Sequence, residues 1–217
     1  MSRPTLIVGC GPSAVAHDLS PWRGKARVIV INESWVLAPW ADILYACDRL
    51  FWMYRAPERT AFAGRRMMRM DGGRVIGDPP VHQVAVLEQT GEILPNFLGD
   101  GGGPGWGGNS GFQALNLAVQ LGASRSSSEP AASDSAMKHT IVGVGLDFNG
   151  GHWHPHGADD ADPPGKAAQL LRWARTFDAQ APRLAGLGVC YIDTSPHRAL
   201  SAYEKMTLPE AFAALNP

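Results

Sequence analysis

Thr5-Leu6-Ile7-Val8-Gly9-Cys10-Gly11-Pro12-Ser13 decides the fold class. Its first four residues form an apolar run without alternation, which is how a strand buried on both faces reads. Glycine ends the run, and Pro12 suits the first position of a helical turn, where a backbone N–H has no partner anyway. The helix that follows is short, because Pro21 and Gly24 interrupt it. Arg27 to Ile31 (RVIVI) is a second run of the same kind, and Ile43 to Cys47 (ILYAC) a third. Strand, helix, strand, short crossover, strand predicts an α/β fold: Rossmann-like, with a mostly parallel sheet and helices on both faces.

A second glycine-rich start lies at Gly107 to Gly122, GGNSGFQALNLAVQLG. Asn109 or Ser110 can cap the helix it opens, and Phe112, Leu115, Leu117, Val119 and Leu121 recur at three- and four-residue spacing. N–H groups at such a helix start are free to bind an anion, and glycine lets a ligand come close. Two such starts in one small domain predict a shared nucleotide cleft. Ile141 to Gly145 and Val189 to Ile192 read as further buried strands, Lys166 to Leu184 as a helix that frays at Pro182. Thr207-Leu208-Pro209-Glu210 has the spacing of a capping box, so a short helix should run from Pro209 to Leu215.

Between these elements the pattern is weaker. Arg65 to Met70 reads as a strand, and Val84 to Leu94 as a hairpin around Gln89-Thr90-Gly91. Trp106, in the glycine-rich loop from Phe97 to Gly108, either stacks on a base or plugs the core. Residues 124–140 are rich in serine and alanine without apolar period, and read as a flexible insertion in a single domain spanning 1–217.

Composition sets the outer bounds. A chain of 217 residues supports one domain with a substantial core, and 45% hydrophobic with 18% charged residues is ordinary for a globular protein. A formal net charge of −1 exerts no global pull on nucleic acid or anionic lipid, although Arg65, Arg66 and Arg69 could form a local patch. Three widely spaced cysteines, Cys10, Cys47 and Cys190, favour reduced thiols over a disulfide framework. With no apolar signal segment and no membrane-length apolar run, a cytoplasmic protein without membrane contact is expected. The oligomeric state is left open.

Candidate chemistry gathers at strand ends. Gly9-x-Gly11-x-x-Ala14 matches the loose dinucleotide pattern, with Glu33 a little over twenty residues on, but Pro12 and the short helix fit it poorly. Asn32, Asp48 and Asp147 each follow a buried strand, which puts them along the carboxyl edge where open α/β sheets bind ligands. The run His152-Trp153-His154-Pro155-His156, with Asp159, Asp160 and Asp162 behind it, has three readings: a metal cluster, a general base poised near neutral pH, or a solvated loop. Pro155 and Trp153 break the spacing of a helix-borne metal site and no cysteine joins it, so no metal ligand is assigned.

Assembled in order, these residues resemble a known group. GxGPS after the first strand, an Asn after the second, NSGxQALNLAxxLG, a strand ending in GxDF, a following His loop, a helix and a strand ending near SxxxAL are similar to the bacterial sialyltransferase-like fold. They are also similar to the related family typified by archaeal 6-hydroxymethylpterin diphosphokinase, with many uncharacterised relatives in phage and prophage genomes. The resemblance covers roughly residues 4–50 and 105–200. It implies that Gly9, Gly11, Pro12 and Ser13 line the nucleotide pocket and that Asn32 contacts the nucleotide or donor sugar. Ser110 and Gly111 would hold the nucleotide from the other side, with Asp147 nearby, and His156 or His152 would act as general base. The implied activity is a nucleotide-dependent transferase, a glycosyltransferase joining a nucleotide-sugar donor to a hydroxyl acceptor. The diphosphokinase version would use ATP and Mg2+ with Asp48, Asp147 and Asp159, and a non-catalytic nucleotide-binding module is a third reading.

Overall fold

Alternate residues of the central strands feed two separate cores, and this alternation builds the molecule. The computed structural model describes residues 3–54, 61–69, 81–84, 92–93, 107–123, 139–151, 165–197 and 199–216. Its strands are β1 (Thr5–Val8), β2 (Arg27–Ile31), β3 (Ile43–Ala46), β4 (Arg65–Arg69), β5 (His82–Val84), β6 (His139–Val144), β7 (Val189–Asp193) and β8 (Glu204–Lys205). They form one sheet in the order β5-β4-β3-β2-β1-β6-β7-β8. Every neighbouring pair is parallel. Val84 ends β5, which pairs parallel with β4; of the rest of the hairpin expected over Val84–Leu94, residues 85–91 and 94 lie outside the described residues.

Ile7, Ile29, Ile31, Ile43 and Tyr45 point to one face, with Phe112, Leu115 and Phe177 packed on them. Leu6, Val8, Val28, Val30, Leu44 and Ala46 point to the other, against Trp22, Trp52, Leu208 and Ala211. The first face carries the helices α2 (Ser110–Ala123), α3 (Lys166–Asp178) and α4 (Ala181–Gly186). The second carries α1 (Arg49–Tyr54), α5 (Leu208–Leu215) and short 3₁₀ turns at Pro12–Ala16 and Ser20–Trp22. The long helix expected over Lys166–Leu184 breaks after Asp178, because Pro182 lies in the first turn of a new helix. The capping box forms as expected: Thr207 N–H donates to Glu210 Oε2 at 2.8 Å, and Glu210 N–H donates back to Thr207 Oγ1 at 3.4 Å.

The strand order locates the functional edge. The chain steps outward from β1 to β5, then returns to the opposite side of β1 to form β6 and continues the other way. The reversal point lies between β1 and β6, and in open α/β sheets the crevice beyond the carboxyl ends there takes ligands. Opening α2 at that edge is Asn109, and the helix then runs beneath the sheet with Gln113, Asn116 and Gln120 fully buried alongside its apolar residues. Tyr45 donates its hydroxyl to Gln113 Oε1 at 2.6 Å, which satisfies one of these polar groups inside the core.

The amino edge carries a titration with a predictable consequence. His139 opens β6, is 7% exposed, and packs against Gly122, where an added Cβ would lie 2.6 Å from its ring. Burial, aided by the charge of Arg27, pushes its pKa down from 6.5 to about 4. A folded-state value below the unfolded one means that only the unfolded chain gains a proton as pH falls through that window. Stability should therefore fall by up to about 3 kcal/mol between the two pKa values and stay level above them. Denaturant titrations of the wild type and His139→Gln at pH 7 and pH 4.5 check this; an equal acid loss in both proteins would contradict it.

Candidate functional site

The glycines of the first loop serve a close crossing of two strand ends. Gly9 N–H donates to Val144 O and Gly11 N–H to Gly145 O, both at 2.8 Å. A Cβ on Gly9 would lie 2.3 Å from Gly145 O, and one on Gly11 would lie 2.5 Å from Asp147 Oδ2. Neither glycine has a positive φ, so space rather than handedness requires them. The segment that follows is a 3₁₀ turn over Pro12–Ala16 instead of an α-helix. It therefore lacks the aligned helix on which a dinucleotide pyrophosphate rests, and the dinucleotide reading loses its main physical support.

Asp147 ties this loop to two other strands. Its Oδ2 accepts from Ser13 N–H at 2.8 Å, and its Oδ1 accepts from Ser13 Oγ at 2.5 Å and from Ser195 Oγ at 2.8 Å. At 2% exposure, with both oxygens engaged, Asp147 holds the loop in place and is not presented to the crevice. Its role here is positioning.

The second glycine-rich start meets the first at one side chain. Leu146 Cδ2 lies 2.7 Å from the Cβ position of Gly9 and 3.1 Å from that of Gly111. The two loops thus flank the end of β6. Asn109 is the cap of α2: Phe112 N–H donates to Asn109 Oδ1 at 2.9 Å, leaving the Ser110 and Gly111 N–H groups without an intrahelical acceptor. Gly107 and Gly108 take left-handed conformations at φ 50° and 81°, which lets the chain turn sharply into the helix. Ser110 Oγ accepts from Cys47 N–H at 3.1 Å and donates to Cys47 Sγ at 3.0 Å, which pins the helix start to the end of β3. Asp48 follows as an exposed residue.

The end of β2 closes the other side. Ser34 Oγ donates to Gly9 O at 2.6 Å, and Cys10 Sγ donates to Ile31 O at 3.1 Å. Burial pushes the Cys10 thiol up to about 11, so it stays protonated and is no nucleophile at neutral pH. Asn32 has a left-handed backbone at φ 49°, and its buried Oδ1 has no hydrogen-bond partner among the described residues. Asparagine enters this conformation more readily than other non-glycine residues, so the feature that stands out at Asn32 is its orphaned acceptor at the carboxyl edge.

Gly9, Gly11, Pro12, Ser13, Asn32, Asp48, Asn109, Ser110, Gly111 and Asp147 therefore all lie at the carboxyl edge of the sheet. His152, His156, Asp159 and Trp106 lie outside the described residues. Gly151, which His152 follows in sequence, stands over Pro12, its Cβ position 3.9 Å from Pro12 Cγ. Sequence reasoning gave no role to Ser195, met only as the first residue of the SxxxAL pattern, or to His197. Applying the strand-end rule to β7, as it was applied to the strands before Asn32, Asp48 and Asp147, would have found them in Asp193-Thr194-Ser195-Pro196-His197. Among the described residues no group of three His, Cys, Asp or Glu could hold a metal ion, and no helix is long and apolar enough to cross a membrane.

Comparison with known proteins returns no match among family models, curated proteins or solved structures.

Proposed function

We propose that the carboxyl-edge crevice binds a nucleotide-activated donor, and that the protein is a nucleotide-dependent transferase, in its leading form a glycosyltransferase. One observation carries this reading: two glycine-lined segments converge on Leu146 at the reversal point of the sheet. The N–H groups of Ser110 and Gly111 supply donors for a phosphate. Asn32 carries a buried Oδ1 without a partner among the described residues, and a turn of its side chain toward the edge would offer that acceptor to a ribose or base donor. Ser13, positioned by Asp147, forms the wall opposite α2.

In the reaction, the acceptor oxygen attacks the anomeric carbon of the donor while a base takes its proton. The bond from that carbon to the phosphate oxygen breaks, and its electron pair leaves with the nucleotide. Helix-start N–H groups would stabilise the charge gathering on the leaving phosphate. His152 and His156, which follow Gly151 in sequence, are the base candidates that the resemblance implies. Cys10, Cys47 and Cys190 form no disulfide, which accords with a cytoplasmic setting.

Melting temperatures in CMP, CDP, UDP, GDP, ATP and NADH, each with and without Mg2+, test the reading. A glycosyltransferase should be stabilised by a pyrimidine nucleotide without metal. Stabilisation by ATP only with Mg2+ would move the assignment to a diphosphokinase, for which the exposed Asp48 beside the α2 start is a suitable carboxylate.

A further inference from the structure

We infer that Lys166 binds a second phosphate at this site, so that the donor is activated by a diphosphate; the inference rests on the nucleotide-transferase reading. Its placement follows from how α3 lies against the start of α2. Phe177 Cε2 lies 4.0 Å from the Cβ position of Gly111, and the Phe177 ring meets that of Phe112 edge-on, with centroids 5.7 Å apart. About one turn nearer its N-terminus, α3 presents Trp173, whose indole Nε1 lies 2.8 Å from the Cβ position of Gly108 in the turn before α2. The helix continues for about two more turns to Lys166, so it overhangs the start of α2. The Lys166 side chain spans that distance: its Nζ stands over the Trp173 ring, 5.6 Å from the centroid. Lys166 thus opens the inward stripe of α3 that continues through half-buried Leu170 and Trp173 to buried Ala174 and Phe177, while Ala167, Ala168, Leu171 and Arg172 are exposed.

No described carboxylate, the exposed Asp48 included, pairs with this ammonium. The ion pairs among the described residues join Arg3 to Asp42, Arg183 to Glu92 and Lys205 to Asp193. An ammonium held half out of water against an indole, without a counter-charge, is suited to take an anion. The other cations described near the carboxyl ends are placed elsewhere. Lys205 is engaged by Asp193, Arg49 opens α1 on the opposite face of the sheet, and Arg69 ends β4, separated from β1 by β3 and β2. The N–H groups of Ser110 and Gly111 suit one phosphate. Lys166 lies on the far side of Trp173 from that point, and so addresses a second. A nucleoside monophosphate can occupy only one of the two positions, whereas a diphosphate bridges them. In transfer the diphosphate leaves with the electron pair of its bond to the anomeric carbon, and the ammonium shares the resulting charge with the helix-start N–H groups.

The test is calorimetric titration of the full chain with the mono- and diphosphates of uridine, cytidine and adenosine, in the wild type, Lys166→Gln and Lys166→Arg. Glutamine and arginine are both good helix formers, so the three proteins should melt alike. For the base that binds, the wild type should take the diphosphate about tenfold more tightly than the monophosphate, as one charge-assisted contact implies. Lys166→Gln should weaken the diphosphate on the order of tenfold and leave the monophosphate unchanged, and Lys166→Arg should restore most of the preference. Three results overturn the inference and leave the nucleotide reading intact. They are equal affinities for mono- and diphosphate in the wild type, an unchanged preference in Lys166→Gln, and an equal loss for both ligands in that variant. If none of the nucleotides binds, the nucleotide reading itself fails first, and the inference falls with it.

Discussion

Asp147→Ala is expected to lower the unfolding free energy by about 4 kcal/mol. The side chain is 2% exposed and accepts three hydrogen bonds, two from Ser13 and one from Ser195. Removing it leaves three buried donors without an acceptor, and a bond to a charged acceptor contributes roughly 1.5–3 kcal/mol. The same change unties the loop after β1 from the end of β7 and leaves it held to β6 only by the Gly9 and Gly11 N–H bonds. Asp147→Asn should cost only about half as much, because its oxygen can still accept from Ser13 N–H while the two hydroxyls rotate to accept from its amide. Urea denaturation of the three proteins measures the difference. A loss below about 1 kcal/mol for Asp147→Ala would show that the bridge does not hold the edge together.

Gly11→Ala should be nearly as damaging, with a loss of about 3 kcal/mol. The new Cβ would lie 2.5 Å from Asp147 Oδ2 and 2.7 Å from Gly145 O. Neither neighbour can give way: one is a backbone carbonyl, and the other is held by two serines. Gly186→Ala is the matched control, since nothing lies within 4 Å of its Cβ position at the end of α4. That variant should be neutral or gain a few tenths of a kcal/mol through a stiffer unfolded chain. Thermal melts of the pair decide it, and equal melting temperatures would refute the close-crossing account of the glycines.

The sheet was legible wherever strands are buried on both faces. Thr5–Val8 and Arg27–Ile31 have the bounds their apolar runs predict, because a run without polar alternation leaves no solvent face to choose. The outer strands carry no such mark. Glu204–Lys205 is two exposed charged residues, and His82–Val84 is three residues long, as edges that resist further pairing tend to be. Pro182 was read as the fraying end of one helix, whereas it lies in the first turn of another; the same missing N–H suits both descriptions.

The site was legible in its parts more than in its roles. Gly9 and Gly11 read as room for a phosphate, but part of their space is taken by Gly145 and Asp147, a contact between residues far apart in sequence. Asp147 read as a ligand-facing acid by its position after β6, and only the serines from two other segments reveal that its oxygens are engaged. Asn32 is the reverse case. Its place after β2 marked it in the sequence, and its orphaned Oδ1 supplies the physical reason to look there.

The most direct test of the account is the melting temperature of the wild type and Asn32→Gly with and without CDP, UDP and ATP. Glycine accepts the φ of 49° without strain, so this variant should remove the side-chain acceptor and keep the fold. A nucleotide at about a hundred times its dissociation constant should stabilise the wild type by roughly 2.7 kcal/mol. Asn32→Gly should bind it about tenfold more weakly, the loss of one hydrogen bond of about 1.4 kcal/mol. Silence from every nucleotide, or an identical response from Asn32→Gly, would contradict a nucleotide site at the β1–β6 edge.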